Sequence, residues 1–145
     1  MTYQKTIEEI ARNARAIHVA MLQSALGATN TGGTCLYAAI LLQEIMKAFH
    51  KETPTVIRGG GGGADGGYRD CDGKCRGHYW VEAKTPEGSF VIDITADQFG
   101  SQPCLVLPLS QAQKNYVPGR QDIVSQHVTQ ELSEIFRQNS QDASN

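Results

Sequence analysis

Between Leu36 and Phe49 the chain leaves almost no polar face. Leu36, Ala39, Ile40, Leu42, Ile45, Met46 and Phe49 recur at helical spacing. They cover most of the circumference of a helix read from about Thr34 to His50, and such a helix has to be enclosed by other elements. A chain of 145 residues is long enough to enclose it in one core, so a single domain over 1–145 is expected. At its start this helix carries a cysteine. A glycine-loosened segment, Thr31-Gly-Gly-Thr, delivers Cys35 to the first turn. There the positive end of the helix dipole and unpaired backbone N–H groups favour thiolate, the nucleophilic form. A buried cysteine is often only a small core residue, and that reading competes. The place at a helix start, after two glycines, favours chemistry.

An earlier helix is read from about Ile7 to Ser24. Thr6-Ile-Glu-Glu9 has the form of a capping box, and Ile7, Ile10, Ala11, Ala14, Ile17, Ala20, Met21 and Leu22 follow at helical spacing. His18 falls within it and is read as a surface or packed histidine, since no partner motif surrounds it. Near the other end, Asp122 is read as the cap of a last helix from about Ile123 to Arg137, with 140–145 a frayed tail. Thr53 to Arg58 and Cys104 to Leu109 read as short strands, and Asn115 to Gly119 as a turn.

The clearest hairpin joins Gly77-His-Tyr-Trp-Val-Glu-Ala83 to Ser89-Phe-Val-Ile-Asp-Ile-Thr95 through Thr-Pro-Glu-Gly. If Lys84 lies opposite Ser89, Trp80 faces Asp93 and His78 faces Thr95. His78 and Asp93 then become diagonal neighbours on one face, within side-chain reach. The other face carries Tyr79, Val81, Ala83, Phe90, Ile92 and Ile94. A bulge at Gly88 that paired Thr85 with Ser89 would turn Asp93 to the opposite face. The first register is expected because it separates an apolar face from a polar one. Cysteine, histidine and carboxylate are the parts of a nucleophilic site when they meet in space.

Between the strands at Arg58 and Gly77 lies a run rich in glycine and cysteine. Gly59 to Gly63 lack the Gly-Lys-Ser/Thr ending of a phosphate loop, so 59–76 is read as a mobile loop at the rim of the site. Cys71, Cys75 and His78 form a rival constellation, since two thiols and an imidazole at close spacing can hold zinc. Their spacing is not a common finger form, and unligated loop cysteines are the plainer reading. With 40% hydrophobic and 19% charged residues the composition is that of a globular domain, and a net charge of −2 gives no electrostatic footprint for nucleic acid. No apolar run is long enough to cross a bilayer, and the N-terminus has acids where a signal peptide has its apolar segment. A cytoplasmic protein with reduced thiols, no membrane partner and no cofactor is expected.

Taken together, Gly33-Thr-Cys35, His78-Tyr-Trp-Val-Glu82 and Val91-Ile-Asp93 resemble the pattern of the transglutaminase-like branch of the papain-like cysteine enzymes. The resemblance covers about residues 31–100. It implies an α+β fold in which a buried cysteine-bearing helix packs on an antiparallel sheet, flanked by N- and C-terminal helices. It also implies a Cys35–His78–Asp93 triad acting on amide bonds of a protein or peptide substrate through a thioester. Peptidase, glutamine deamidase and acyl transferase stay open, because nucleophile and base are common to all three. Asn30 or Gln98 is a candidate second oxyanion donor beside the Cys35 N–H, with Gln98 also readable as solvent-facing. Trp80 is expected to shield the His78–Asp93 contact from water, or to fill core. The alternative is a non-catalytic zinc-binding or protein-binding module using Cys71, Cys75 and His78.

Overall fold

The computed structural model describes residues 2–26 and 34–144, with side chains for 2–24 and 34–137. Four helices and six strands follow one another in an α+β arrangement. Helix α1 is Tyr3–Leu26 and α2 is Cys35–Phe49. Strands β1 (Thr55–Gly62), β2 (Gly67–Arg69), β3 (Cys75–Thr85) and β4 (Gly88–Asp93) come next. After a 3-10 turn, Ala96–Phe99, come β5 (Leu105–Pro108), the short α3 (Leu109–Ala112), β6 (Tyr116–Val117) and α4 (Gln121–Ser144). Among the described residues no helix is long and apolar enough to cross a membrane.

The sheet is antiparallel, in the order β5-β4-β3-β2-β6, with β1 along the other edge of β3. The hairpin adopts the expected register, with Lys84 opposite Ser89 and Val81 opposite Ile92. Its apolar face behaves as the alternation requires. Val81, Ala83, Phe90, Ile92 and Ile94 join Ile7 and Ala11 of α1, Ala39 and Leu42 of α2, and Val124 of α4 in one core. The opposite face is not solvated as an ordinary two-faced hairpin would be. Trp80 and Val91 there belong to a second, smaller cluster with Tyr68, Ala112 and Tyr116. Beyond Trp80 the sheet divides. The β4 ladder runs down to Val81, β2 pairs with β3 only at Arg76 and Cys75, and His78 sits in the opening between them.

Several expectations need correction. Thr2, not Thr6, caps α1, its hydroxyl accepting from the Lys5 N–H at 3.2 Å. Phe49 ends α2 on the outside, 79% exposed. Asp122 lies inside the first turn of α4, paired with Arg120 at 2.8 Å, rather than capping it. The helical backbone of α4 runs on to Ser144 where a tail was expected. Residues 116–117, read as a turn, form β6 against β2. The glycine run does not remain a loop, since Gly59 to Gly62 continue β1 along β3. The reason is close packing of backbone on backbone. A Cβ at Gly60 would lie 2.0 Å from the Asp65 carbonyl oxygen, and one at Gly59 would lie 2.2 Å from that of His78.

Candidate active site

Cys35 is the first residue of α2 and is partly exposed. The Ala38 N–H donates to the Thr34 carbonyl at 2.9 Å, so helical bonding starts one residue before the cysteine. The N–H groups of Cys35, Leu36 and Tyr37 are therefore the first-turn donors that a helix leaves without internal partners. His18 lies beneath this turn. It is fully buried in the stripe Ile7, Ala11, Ala14, His18, Leu22 of α1, and its Nε2 lies 3.0 Å from Thr34 Oγ1. Burial first, then the Arg15 charge, lowers its pKa.

His78 is wholly buried, and Asp93 is 2% exposed. His78 Nε2 and Asp93 Oδ2 are 2.7 Å apart, the diagonal contact that the hairpin register allows. The Cys35 side chain lies close enough to the same imidazole to favour its protonated form. With Nε2 held by the carboxylate, Nδ1 is the nitrogen available to the thiol. Burial alone would pull the histidine pKa down. The Asp93 carboxylate and Cys35 together outweigh it, and the pKa rises to about 9.

Asp93 is anchored on both oxygens. Oδ1 accepts from the Thr95 N–H at 3.0 Å and from its hydroxyl at 3.3 Å. Oδ2 accepts from the Tyr116 hydroxyl at 2.7 Å as well as from His78. Burial, then Asp93, pushes the Tyr116 phenol far above its ordinary range, so it remains a donor. Rings enclose the imidazole. Phe99 stands edge-on to it with centroids 4.8 Å apart, and Trp80 lies 6.0 Å away. Tyr68 stacks on Phe99 at 4.3 Å. Such walls keep water from the His78–Asp93 pair and strengthen it.

No family model matches this chain, and neither curated proteins nor solved structures give a match. The site therefore has to be read from its own geometry.

Cys35, His78 and Asp93 are brought together, with Trp80 beside them. Gln98 is half-buried beside the imidazole. Its amide nitrogen lies 3.2 Å from His78 Nδ1, 3.1 Å from the Thr95 carbonyl oxygen and 3.1 Å from Thr95 Oγ1. Asn30 lies outside the described residues, as does the approach from Thr31 to Gly33. The zinc constellation is not assembled. Cys71 is exposed in the turn between β2 and β3, and Cys75 and His78 are three residues apart on β3, so their side chains leave opposite faces. His78 Nε2 is already held by Asp93. Among the described residues no three His, Cys, Asp or Glu side chains are grouped to hold a metal ion. Asp70 instead braces that turn, accepting from the Asp72 and Lys74 N–H groups and from Arg76.

Sequence reasoning missed Thr95, Tyr116 and Arg15. Arg15 reaches from α1 to donate to both Asp97 oxygens at 2.8 Å and to the Ile94 carbonyl at 2.9 Å, fixing the turn that carries Gln98 and Phe99. Asp93-Ile-Thr95 is the local signature of an Asx turn and was open to reading. For Tyr116 and Arg15 no local signal exists.

Proposed function

We propose that the chain is a cysteine-dependent amide-bond enzyme of the transglutaminase-like, papain-like kind, working through Cys35, His78 and Asp93. The observation that carries this reading is one imidazole, hidden from water, bonded to a carboxylate and close enough to the helix-start thiol for the two to interact. A histidine held protonated to about pH 9 supports an ion pair with Cys35 across the neutral range. The Cys35 sulfur attacks the carbonyl carbon, a C–S bond forms, and the oxygen takes the negative charge. The N–H of Cys35, at the start of α2, is the donor placed to stabilise that charge. His78 gives its Nδ1 proton to the departing nitrogen, the C–N bond breaks, and a thioester remains. Neutral His78 then takes a proton from the water or amine that attacks the thioester carbonyl, the C–S bond breaks, and the Cys35 thiolate is restored beside protonated His78. Asp93 keeps the imidazole oriented throughout, with Tyr116 and Thr95 holding Asp93. A protein or peptide substrate fits a thiol that opens to the surface.

The test is alkylation by iodoacetamide followed by mass spectrometry. At about pH 6, where ordinary thiols are overwhelmingly protonated, Cys35 is expected to react faster than the more exposed Cys71. His78→Ala is expected to abolish that advantage. Equal rates at the two thiols, or an advantage indifferent to His78, would remove the basis of the proposal.

A further inference from the structure

Beside the nucleophile runs a groove that the triad does not use. It has a volume of about 520 Å³ and is lined by Leu36, Tyr79, His127, Gln130, Glu131 and Glu134. Leu36 follows Cys35 at the start of α2, and the Tyr79 phenol, pushed up first by burial, also feels the Cys35 charge, so this wall of the groove lies near the sulfur. His127 of α4 forms part of its wall and is pinned there by the Tyr79 hydroxyl, 2.5 Å from His127 Nδ1. On its far side His127 also borders a second cavity of about 200 Å³, with Gly60, Gly61, Asp65 and Arg120 among its walls. The two spaces share His127 and together run along α4 to the glycine strand. Gly61 opposes no packing, since a Cβ there would meet nothing within 4 Å, so its bare backbone leaves that end of the track clear.

The charges along this track are not balanced. Glu134 is matched by Arg137 and Arg120 by Asp122. Glu131, half-buried, and Asp65 have no ion pair among the described residues. A partly desolvated carboxylate without a cation is a charge waiting for a partner.

We infer that this groove binds the substrate as an extended polypeptide and selects one carrying an arginine or lysine close to the reacting carbonyl, its cation held by Glu131. This rests on the cysteine-enzyme reading above and adds the substrate class. Arginine and lysine stems are long enough to lie along Leu36 and Tyr79 while the charged head reaches α4.

The experiment is protection of Cys35 from iodoacetamide by short blocked peptides, which does not depend on which acyl reaction the enzyme performs. The peptides are acetylated, amidated decamers alternating glycine with arginine, with citrulline as the uncharged isostere, or with glutamate. The arginine peptide is expected to protect at a concentration roughly fivefold lower than the citrulline peptide, the scale of one partly exposed ion pair. The glutamate peptide is expected to protect least. In Glu131→Gln the arginine advantage is expected to fall within about twofold. Equal protection by arginine and citrulline peptides, absence of protection, or an advantage that survives Glu131→Gln would overturn the inference. Failure of the enzyme reading shows separately, in the rate measured without peptide and its dependence on His78.

Discussion

Asp93 is the residue on which the others converge. Two donors meet each of its oxygens, so the buried carboxylate has hydrogen-bond partners on both sides. Tyr116→Phe removes one of these donors and nothing else. The expected loss is about 1.5–3 kcal/mol in urea unfolding, the range for a hydrogen bond to a charged group. An unchanged midpoint would mean that Tyr116 serves only as a ring. At this scale the sequence was partly readable. Cys35, His78 and Asp93 could be read because each sits at a recognisable place, a helix start or a given step of a hairpin. Tyr116 could not, because its contact with Asp93 is made across 23 positions and depends on strand order. The contact of Gln98 with His78 was hidden for a related reason, since it depends on how the 96–99 turn meets β3.

Among the elements, β1 is the instructive case. Glycine in isolation disfavours a strand because it gives up much backbone freedom. In β1 that penalty is outweighed by close approach, since neighbouring main chain occupies the space where side chains would be. A Cβ at Gly119 would also lie 2.0 Å from the Asp65 carbonyl oxygen, so the crowding involves three separate parts of the chain. Adjacent glycines are therefore predicted to differ. Gly60→Ala is expected to destabilise by at least about 1–3 kcal/mol, as overpacking does. Gly61→Ala, with open space and no left-handed backbone, is expected to be neutral or to stabilise by about 0.4–1 kcal/mol. Thermal unfolding of the two variants decides it, and equal losses would contradict the packing account. The two long helices and the β3–β4 hairpin were legible because their periodicity extends over many residues. Strands β2 and β6, three and two residues long, offer no period to read.

For the whole molecule, two buried histidines set opposite limits on stability. His78 is raised to about 9 in the folded chain. Its contribution is complete below the ordinary value of about 6.5 and is lost as the pH rises through about 9. His18 is lowered, so its contribution is present above about pH 6.5 and is lost as the pH falls through the depressed value. The charges facing His18 are Arg15, which opposes its protonation, and Asp97, which favours it more weakly. Chemical denaturation across pH is expected to give greatest stability near neutrality. Asp93→Asn is expected to flatten the alkaline limb and His18→Gln the limb just below neutrality. If both limbs keep their slopes in the two variants, the histidines are not their source. The second ring cluster has a further consequence, one of timing. It draws members from Tyr68 through Tyr116, so a ribosome has exposed Cys35, His78 and Asp93 well before it releases the hydroxyl that steadies the carboxylate. Until then Asp93 lacks one of its four donors, so the buried carboxylate can reach its final hydrogen bonding only after Tyr116 has joined the sheet.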